Sequence, residues 1–592
     1  MDLFNQYLKK TGEYGIVHQV SHPIVFLEGL PKVKTHEIIY FEGGQKAEVF
    51  AITRGKIEAR VFSHEPIKVG TKATRTDELL SVPVGPELLG HVINPLGEPL
   101  DPTQPYTRPK ELRDLESKPI GISGRQKLTR SLATGVALID LLIPLGLGQR
   151  ELIIGDRKTG KTSLLLTAMK SQVENGVVAI YCAIAKKKSD IKRIQEFFIQ
   201  QGIADKVIIV ATSSYDSPSL IYQTPYAGMS IAEYFRDLGQ PTLLVLDDLS
   251  THAKFYRELS LLARRFPGRD SYPGDVFYVH SRLLERAGNF KHKEKGEVSI
   301  TCLPVIEIVE GDFTGYISTN VMGITDGHIY LDSNIYYQGM RPAVNIPLSV
   351  TRVGRQTLDK LSREVNKELS AFLAQYDKLQ NLSHFGQELT DDVKKQLRMG
   401  EIIYKFFQQP YQETVPTTIQ LIIISMILQD IIPDKETLDR VKKSLINAFY
   451  HDEPKQWLME VAVAKNLKTF NENVLKNKEH LLTLKLTPEQ EAAGKQKAQA
   501  QAQIQTQPEQ TPPSPQKPIQ TQQPLPQPPP TPPMAPVAPT SIQQQQTQPV
   551  TQPQPSPSPA SPQQSAQQQP AGTQTQAPAD SNKQKRFFVK KK

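Results

Sequence analysis

The segment Gly155-Asp156-Arg157-Lys158-Thr159-Gly160-Lys161-Thr162 constrains the fold more than any other, because it fits G-x-x-x-x-G-K-[ST] in a specific context. The apolar run Arg150–Ile154 before it is typical of a buried strand, and Ser163–Met169 after it begins a helical pattern. In that context the backbone N–H groups of the loop and the positive end of the helix dipole converge on one point. The segment therefore predicts a phosphate cradle, with Lys161 placed to contact the outer phosphates and Thr162 to bind Mg²⁺.

A second candidate for the same site follows the apolar strand pattern Thr242–Leu246. A carboxylate at the end of a strand beside a phosphate loop is placed to hold Mg²⁺ through water. Asp247 and Asp248 both stand there, and we take Asp247 as the metal-site residue with Asp248 as its competitor. An Asp after a strand can instead cap the following helix, and the pattern leaves that role open.

Apolar periodicity divides the chain into four parts. Residues 1–80 contain short alternating runs separated by Gly, Pro and charged clusters, which predicts a small β-barrel. In residues 81–356 strand-like runs alternate with helical stretches, which predicts an α/β domain with a largely parallel sheet. Its predicted strands include Glu151–Ile154, Val177–Ala183, Val207–Ala211, Thr242–Asp247 and Ser299–Val305. Residues 357–487 are helical in pattern and begin with a long candidate helix at Lys360–Leu382.

The last part, residues 488–592, consists almost entirely of Gln, Pro, Ser, Thr and Ala, and this composition predicts a disordered tail. Beyond residue 490 there are 22 of the 47 prolines, with nine basic and three acidic residues. That net charge of +6 leaves only +3 of the total +9 for the folded part, so the high pI does not indicate nucleic-acid binding there. Pro512–Pro518 fits a spacer or a ligand of a proline-reading domain, and the basic end Lys583–Lys592 fits a solubilising terminus or a contact with an acidic partner.

Cysteine usage and hydropathy indicate a protein of a reducing compartment. Cys182 and Cys302 lie in apolar, strand-like runs, which predicts small buried side chains rather than a disulfide framework. The N-terminus lacks the pattern of a signal peptide. The longest apolar stretch, Ile419–Ile432, is short and contains polar residues, which favours a buried helix over a membrane span.

Further blocks accompany the phosphate loop in a fixed order. They are Pro83–Gly90, Gly146–Leu152, Leu246–Ser250, Arg264–Arg269, Tyr272–Tyr278, His280–Arg286, Arg341–Ala343 and Thr351–Gly354. Together they closely resemble the alpha subunit of F-type ATP synthases, from about Gly15 to about Leu486. The resemblance implies a β-barrel crown, a RecA-like nucleotide domain and a helical C-terminal domain. It also implies ATP or ADP with Mg²⁺ as ligands, and a ring shared with catalytic beta subunits around a rotating shaft.

The resemblance also assigns roles to individual residues. Arg352 matches the alpha-subunit arginine that reaches the γ-phosphate in the neighbouring catalytic site, although Thr351 replaces the usual Ser before it. Arg341 and Gln408 match residues that line the adenine pocket, but Pro410 stands where a second Gln is usual. The phosphate-binding residues carried over are Gly155, Asp156, Arg157, Lys158, Thr159, Gly160, Lys161 and Thr162, with Thr162 and Asp247 at the metal.

Two lysines depart from the alpha-subunit pattern. The catalytic beta subunits carry a water-activating Glu at the end of the strand after the phosphate loop, and alpha subunits carry Gln there. In this chain the matching position is Lys186. A protonated lysine accepts no proton from water, so we expect the site to bind ATP without hydrolysing it. Lys158 replaces a usual Gln in the loop and adds a cation near the phosphates.

The sequence therefore predicts a non-catalytic, nucleotide-binding alpha-type subunit of a rotary ATPase, peripheral on the inner face of a bacterial plasma membrane. Its membrane contact is expected to be only indirect, and no nucleic acid is expected. A shortened or absent N-terminal docking helix and the long tail, with an unknown partner, also fit a ring repurposed for another mechanical process such as motility. Other readings are a self-sufficient homohexameric ATPase, which needs a carboxylate at Lys186, a scaffold that has lost nucleotide binding, and a nucleic-acid binder acting through the tail.

Overall fold

The computed structural model describes residues 3–53, 55–383 and 390–484. All of these residues belong to one unit of the chain, Met1–Pro508. The predicted disordered tail, including the proline-rich run and the basic end, lies outside the described residues.

A short helix and a closed barrel of six strands form the N-terminal part, and the predicted barrel is confirmed. The elements are α1 (Leu3–Thr11), β1 (Tyr14–Ser21), β2 (Ile24–Glu28), β3 (Glu37–Phe41), β4 (Lys46–Thr53), β5 (Lys56–Val61) and β6 (Lys72–Leu79). The strands pair antiparallel in the closed order β1-β2-β5-β4-β3-β6. Alternate side chains point inward and form a separate apolar core that includes Val25, Val49 and Ala59.

The central part contains a sheet of nine strands that carries the phosphate loop. Its region includes β7 (Ser81–Val84), β8 (Val92–Ile93), β9 (Glu111–Asp114), β10 (Ser131–Leu132), β11 (Leu145–Gly146), β12 (Glu151–Asp156), β13 (Val178–Lys186), β14 (Val207–Ser213), β15 (Thr242–Asp247), β16 (Gly288–His292), β17 (Gly296–Ile308), β18 (Gly327–Leu331) and β19 (Val350–Thr351). The order is β19-β18-β12-β17-β15-β13-β14-β8, with β16 beside β17. All pairs are parallel except β18 with β19 and β16 with β17. The five predicted strands are confirmed as β12, β13, β14, β15 and β17.

Helices pack on this sheet and explain why its strands are apolar on both faces. They are α2 (Ala137–Leu142), α3 (Lys161–Glu174), α4 (Lys188–Gln200), α5 (Pro218–Asp237), α6 (Leu249–Leu262), α7 (Val276–Leu284), α8 (Tyr316–Ile324), α9 (Ser333–Tyr337) and α10 (Gly354–Thr357). Every residue of β15 is buried, as expected for a parallel strand covered on both sides. Cys182 and Cys302 are free and buried in β13 and β17, as predicted.

The C-terminal part is helical, as predicted. Its helices are α11 (Lys360–Ser383), α12 (Asp391–Phe407), α13 (Thr417–Leu428), α14 (Lys435–Phe449), α15 (Asp452–Ala462), α16 (Leu467–Lys476) and α17 (Lys478–Thr483). The helix predicted at Lys360–Leu382 is α11, and most of α13 is buried in the core. Gln420 in α13 donates a 2.9 Å hydrogen bond to Asp140 in α2, which ties this part to the nucleotide domain.

The barrel is tied to the central sheet through a buried carboxylate. Glu48 in β4 accepts hydrogen bonds of 2.7 Å from Arg60 in β5 and 2.7 Å from Gln223 in α5.

Across residues 3–53, 55–383 and 390–484, no helix has both the length and the apolar character needed to cross a membrane.

Candidate functional site

The phosphate loop joins the end of β12 to the start of α3, in the centre of the sheet between β17 and β18. A side chain at Gly155 is excluded because a Cβ there would lie 2.4 Å from the carbonyl oxygen of Leu331 in β18. The loop is therefore held close to the neighbouring strand and leads into the N-terminus of α3, the end of a helix that favours anions. The predicted strand, loop and helix are confirmed.

Side chains of the loop also hold its shape. Lys161 is buried, and its ammonium donates to the carbonyl oxygens of Gly155 (3.0 Å) and Asp156 (2.6 Å). The Thr159 hydroxyl donates to the Asp156 carbonyl at 2.8 Å. Burial lowers the pKa of Lys161, against the raising effect of the nearby carboxylates. The Lys161 side chain thus packs against the backbone of its own loop, and a bound phosphate would stabilise the charge of its ammonium group.

A cavity of about 1000 Å³ opens over the loop, at the upper end of the volume that ligand pockets usually have. Its lining combines the end of the sheet, the loop and the segment after α12. The residues include Lys158, Thr159, Gly160, Lys161, Thr162, Lys186, Asp247, Glu307, Tyr336, Arg341, Gln409 and Tyr411. Lysines and arginines line this space together with the carboxylates of Asp190, Glu196, Asp247 and Glu307. The phosphate loop and the N-terminus of α3 beside them make it a suitable setting for a phosphorylated ligand.

Lys186 is bound to the two aspartates at the edge of this cavity. Its Nζ lies 2.7 Å from Oδ1 of Asp247 and 3.3 Å from Oδ2 of Asp248. The other oxygen of Asp247 accepts a 2.5 Å hydrogen bond from the buried Tyr181 hydroxyl and a long one, 3.4 Å, from Thr162. Both oxygens of Asp247 are therefore already engaged.

Asp247 and Asp248 have different surroundings. Asp247 lines the cavity, whereas Asp248 is the N-cap of α6 and accepts 2.6 Å bonds from the Thr251 backbone N–H and the Ser250 hydroxyl. The capping role that the sequence left open belongs to Asp248. Burial raises the pKa of Asp248, but the charge of Lys186 and these donors outweigh burial and lower that pKa.

The protonation state of Lys186 follows from the same contacts. Its side chain is only 20% exposed, and burial alone lowers its pKa. The charges of Asp247 and Asp248 outweigh burial and raise the pKa of Lys186 above its usual value. Burial, with the charge of Asp247 next, raises the pKa of the Tyr181 hydroxyl well above its usual value. The end of β13 therefore carries a cation at neutral pH, and Tyr181 stays a hydrogen-bond donor.

The donor set fits Mg²⁺ poorly. Among the described residues no group of three or more His, Cys, Asp or Glu side chains is arranged to hold a metal ion. Thr162 and Asp247 are neighbours, as a loop that binds Mg²⁺ requires. An ammonium and a phenol hydroxyl nevertheless use the two oxygens that would face the ion.

The two predicted adenine residues lie in different places. Arg341 lines the cavity, and its guanidinium lies 3.4 Å from the ring centroid of Tyr336. Gln408 instead lines a neighbouring cavity, where its amide contacts the Met340 sulfur at 3.2 Å. Helix α12 ends at Phe407 and the chain becomes extended at Gln408, so successive side chains point to opposite sides. Consequently Gln409 and Pro410 line the first cavity and Gln408 does not.

Arg352 lies away from the cavity of its own chain. It follows β19 at the sheet edge, it is exposed, and it is absent from the described residues that line the cavity. Among the described residues its guanidinium makes two long hydrogen bonds, 3.4 Å to the Thr325 carbonyl and 3.5 Å to the Met322 carbonyl. The guanidinium is thus held only weakly by the part of the chain that the structure describes.

Two cavity residues, Glu307 and Tyr336, and the buried Tyr181 beside Asp247 escaped the sequence analysis. Tyr181 lies inside the uniformly apolar strand β13, where nothing in the pattern distinguishes its hydroxyl. Glu307, which pairs with Arg157 at 3.0 Å, lies near the end of β17, the same kind of position that singled out Asp247. A search for a carboxylate near the end of every predicted strand would have found Glu307. Tyr336 lies on the short helix α9 and gave no signal.

The fold and the cavity together define a P-loop nucleotide-binding protein with a barrel before and a helical domain after its central sheet. Residues 135–351 match the family model of the ATP synthase alpha/beta family, nucleotide-binding domain, and residues 359–480 match the ATP synthase alpha/beta chain, C terminal domain. The chain is 39% identical to the ATP synthase subunit alpha of Clostridium acetobutylicum over 455 residues, which cover 76% of this chain and 90% of that protein. It is 40% identical to the ATP synthase subunit alpha of Helicobacter pylori over 413 residues, which cover 70% and 82%. The chain belongs to the ATP synthase alpha subunit family.

Proposed function

We propose that this chain is the non-catalytic, nucleotide-binding subunit of a rotary ATPase ring, in which it alternates with catalytic beta-type subunits around a central shaft. It binds ATP or ADP in the cavity over Lys161 without hydrolysing ATP, and it supplies Arg352 to the catalytic site of a neighbour. The ring is peripheral on the inner face of a bacterial plasma membrane. The assembly is extended to this chain from relatives that are named ATP synthase subunits.

The position of Lys186 is the observation that carries the non-catalytic assignment. A P-loop ATPase needs a group that orients or deprotonates the attacking water. Lys186 is held protonated by two aspartates and accepts no proton. Asp247 is occupied by Lys186 and Tyr181, and Glu307 is paired with Arg157. Asp247 therefore has a hydrogen-bond donor on each oxygen, and Arg157 holds one oxygen of Glu307.

Exposure of Arg352 supports the second half of the proposal. A guanidinium stabilises charge on the transferred phosphoryl group, and an arginine supplied from a neighbouring protein is worth a factor of about 10³–10⁵ in rate. Arg352 lies at the edge of the sheet, and within the described residues its guanidinium makes only long hydrogen bonds, to the carbonyl oxygens of Thr325 and Met322. Mg²⁺ is left out of the proposed ligand set, because each oxygen of Asp247 already holds a hydrogen-bond donor.

Calorimetric titration of the full-length chain with ADP tests the nucleotide-binding part. We expect saturable binding, and Lys161→Ala should weaken it by at least about tenfold, or 1.4 kcal/mol, because a phosphate loses its buried cation. Lys206→Ala removes a lysine from an exposed position and should bind like the unchanged chain. Absence of binding, or equal binding by Lys161→Ala, would contradict the proposal.

A further inference from the structure

We propose that this site binds its nucleotide without a divalent cation, and that the ammonium of Lys186 takes the place of the metal between Asp247 and the phosphates. The inference rests on the proposed binding of ATP or ADP and concerns how the charge of that ligand is compensated. It departs from the Mg²⁺-containing site that the family resemblance implies.

The first step is the position of the ammonium. Lys186 Nζ contacts Asp247 and Asp248, whose side chains are 4% and 3% exposed, and Lys186 itself lines the cavity over the loop. An ammonium has three N–H donors, and the two aspartates account for two of them. The third is available to an oxygen of a bound phosphate. Lys186 thus bridges a buried carboxylate and the ligand, as a metal with its water shell does elsewhere.

The second step is the state of the carboxylate. Mg²⁺ requires near-octahedral oxygen ligands at about 2.0–2.1 Å and keeps several of its waters. The Asp247 oxygen nearest Lys186 carries an ammonium at 2.7 Å, and the other carries the Tyr181 hydroxyl at 2.5 Å. A dication or its water shell has to share these oxygens with the ammonium and the phenol hydroxyl. If it binds beside the ammonium, it is repelled by a like charge in a partly buried place.

The third step is the total charge offered to the ligand. Lys158, Lys161 and Lys186 all line the cavity, and Arg341 lines the same space. Lys158 and Lys186 are the two lysines that depart from the alpha-subunit pattern. Asp190, Glu196, Asp247 and Glu307 line the cavity as well, so the balance of charge is close, and the fixed ammonium groups supply positive charge to the phosphates without a diffusible ion.

The experiment is a titration of the full-length chain with a fluorescent ADP analogue, in excess Mg²⁺ and in excess EDTA. We expect the two dissociation constants to agree within about threefold. Weakening by about tenfold or more in EDTA would overturn the inference. Absence of binding in both buffers would instead contradict the proposed function and, with it, this inference.

A variant pair locates the effect at Lys186. Lys186→Gln frees an oxygen of Asp247 and removes the fixed cation, so binding should weaken in EDTA and recover by about tenfold when Mg²⁺ is added. Lys187→Gln changes the adjacent exposed lysine and should keep the ratio of the unchanged chain. An unchanged ratio in Lys186→Gln would also overturn the inference. Circular dichroism of each variant confirms folding, and the wild-type comparison decides the question even if Lys186→Gln does not fold.

Discussion

Gly354 lies against the carbonyl of Pro144 so closely that a Cβ built on Gly354 would be 1.7 Å from that oxygen. The same carbonyl accepts a 3.0 Å hydrogen bond from the hydroxyl of Thr351, and Thr351 accepts a 3.1 Å bond from the backbone N–H of Gly354. Thr351 precedes Arg352 in the chain and Gly354 follows it, so these contacts fix the backbone before and after Arg352. The backbone that presents Arg352 is therefore fixed by packing against the segment between α2 and β11.

Replacement of Gly354 by alanine should displace that backbone. The added methyl group meets a backbone atom, which cannot rotate away, so we expect a loss of about 1–3 kcal/mol in the free energy of unfolding. Urea denaturation of the full-length chain measures it. Gly323→Ala is a suitable control, because a Cβ there meets nothing within 4 Å, and it should cost much less. Equal stability of Gly354→Ala and the unchanged chain would contradict the packing argument.

Replacement of Arg352 by alanine should leave the chain folded and abolish most of the ATPase activity of the assembled ring. We expect a loss on the order of 10³-fold or more, as for an arginine that stabilises transferred phosphoryl charge. The measurement is steady-state phosphate release by the purified complex. Nucleotide bound to this chain should remain unchanged, since Arg352 does not line its cavity.

A nearby arginine supplies the comparison for that experiment. Arg355 is also exposed and lies three residues further along the chain, in α10. Arg355→Ala should leave turnover close to that of the unchanged complex. Near-normal turnover of the Arg352→Ala ring would remove the basis for its proposed action on a neighbour.

The buried ion pair between Arg286 and Glu233 in α5 should make a large contribution to the free energy of unfolding. Arg286 contacts both oxygens of Glu233, at 3.1 and 2.7 Å, and its side chain is 1% exposed. Arg286→Met leaves a buried carboxylate without this partner, and we expect a cost of about 3–5 kcal/mol in urea denaturation. The double change Arg286→Met with Glu233→Leu should recover much of that loss. A double variant as unstable as the single one would refute this account.

How far the sequence predicts this molecule depends on whether a feature is local. The phosphate loop and the strand Thr242–Asp247 were predicted correctly, because an uninterrupted apolar run followed by glycine or aspartate is a local signal. Arg341 lines the predicted cavity, but Gln408 does not. Helix α12 ends at Phe407, directly before Gln408, and the extended backbone there directs the Gln408 side chain away from this cavity. No local pattern encodes that rotation.

The bond between Lys186 and Asp247 shows the same limit. The sequence identified the two residues separately: Lys186 replaces the expected catalytic base, and Asp247 was the predicted metal ligand. They are 61 residues apart, and only the parallel pairing of β13 with β15 brings Ala183 opposite Asp247 and the lysine within reach. The division of tasks between Asp247 and Asp248 likewise depended on side-chain direction at the start of α6.

Two buried histidines should make stability fall in mild acid. His252 Nδ1 and His280 Nε2 lie 3.2 Å apart, and His252 Nε2 lies 3.0 Å from the Tyr222 carbonyl. Burial lowers the pKa of His252 to about 4 and that of His280 to about 3. The unfolded chain binds these protons near pH 6.5 and the folded chain does not, so this stability is fully present above about pH 6.5 and is lost as the pH falls.

The acid effect should be on the order of 3 kcal/mol for each histidine once the pH reaches the folded pKa values. Urea denaturation between pH 7.5 and pH 5, about the range in which a free histidine titrates, should show the unchanged chain losing stability faster than His280→Gln. His18→Gln alters a largely exposed histidine and should keep the pH dependence of the unchanged chain. Parallel curves for the unchanged chain and His280→Gln would contradict the assignment.

The most direct test of the central claim is phosphate release by the purified full-length chain alone, at a concentration of ATP that calorimetry shows to be saturating. The account predicts bound nucleotide and no measurable turnover, because the position that matches the water-activating Glu of catalytic beta subunits is Lys186, whose raised pKa keeps it protonated. Turnover on the order of 1 s⁻¹ or faster, as enzymes commonly reach, would contradict it.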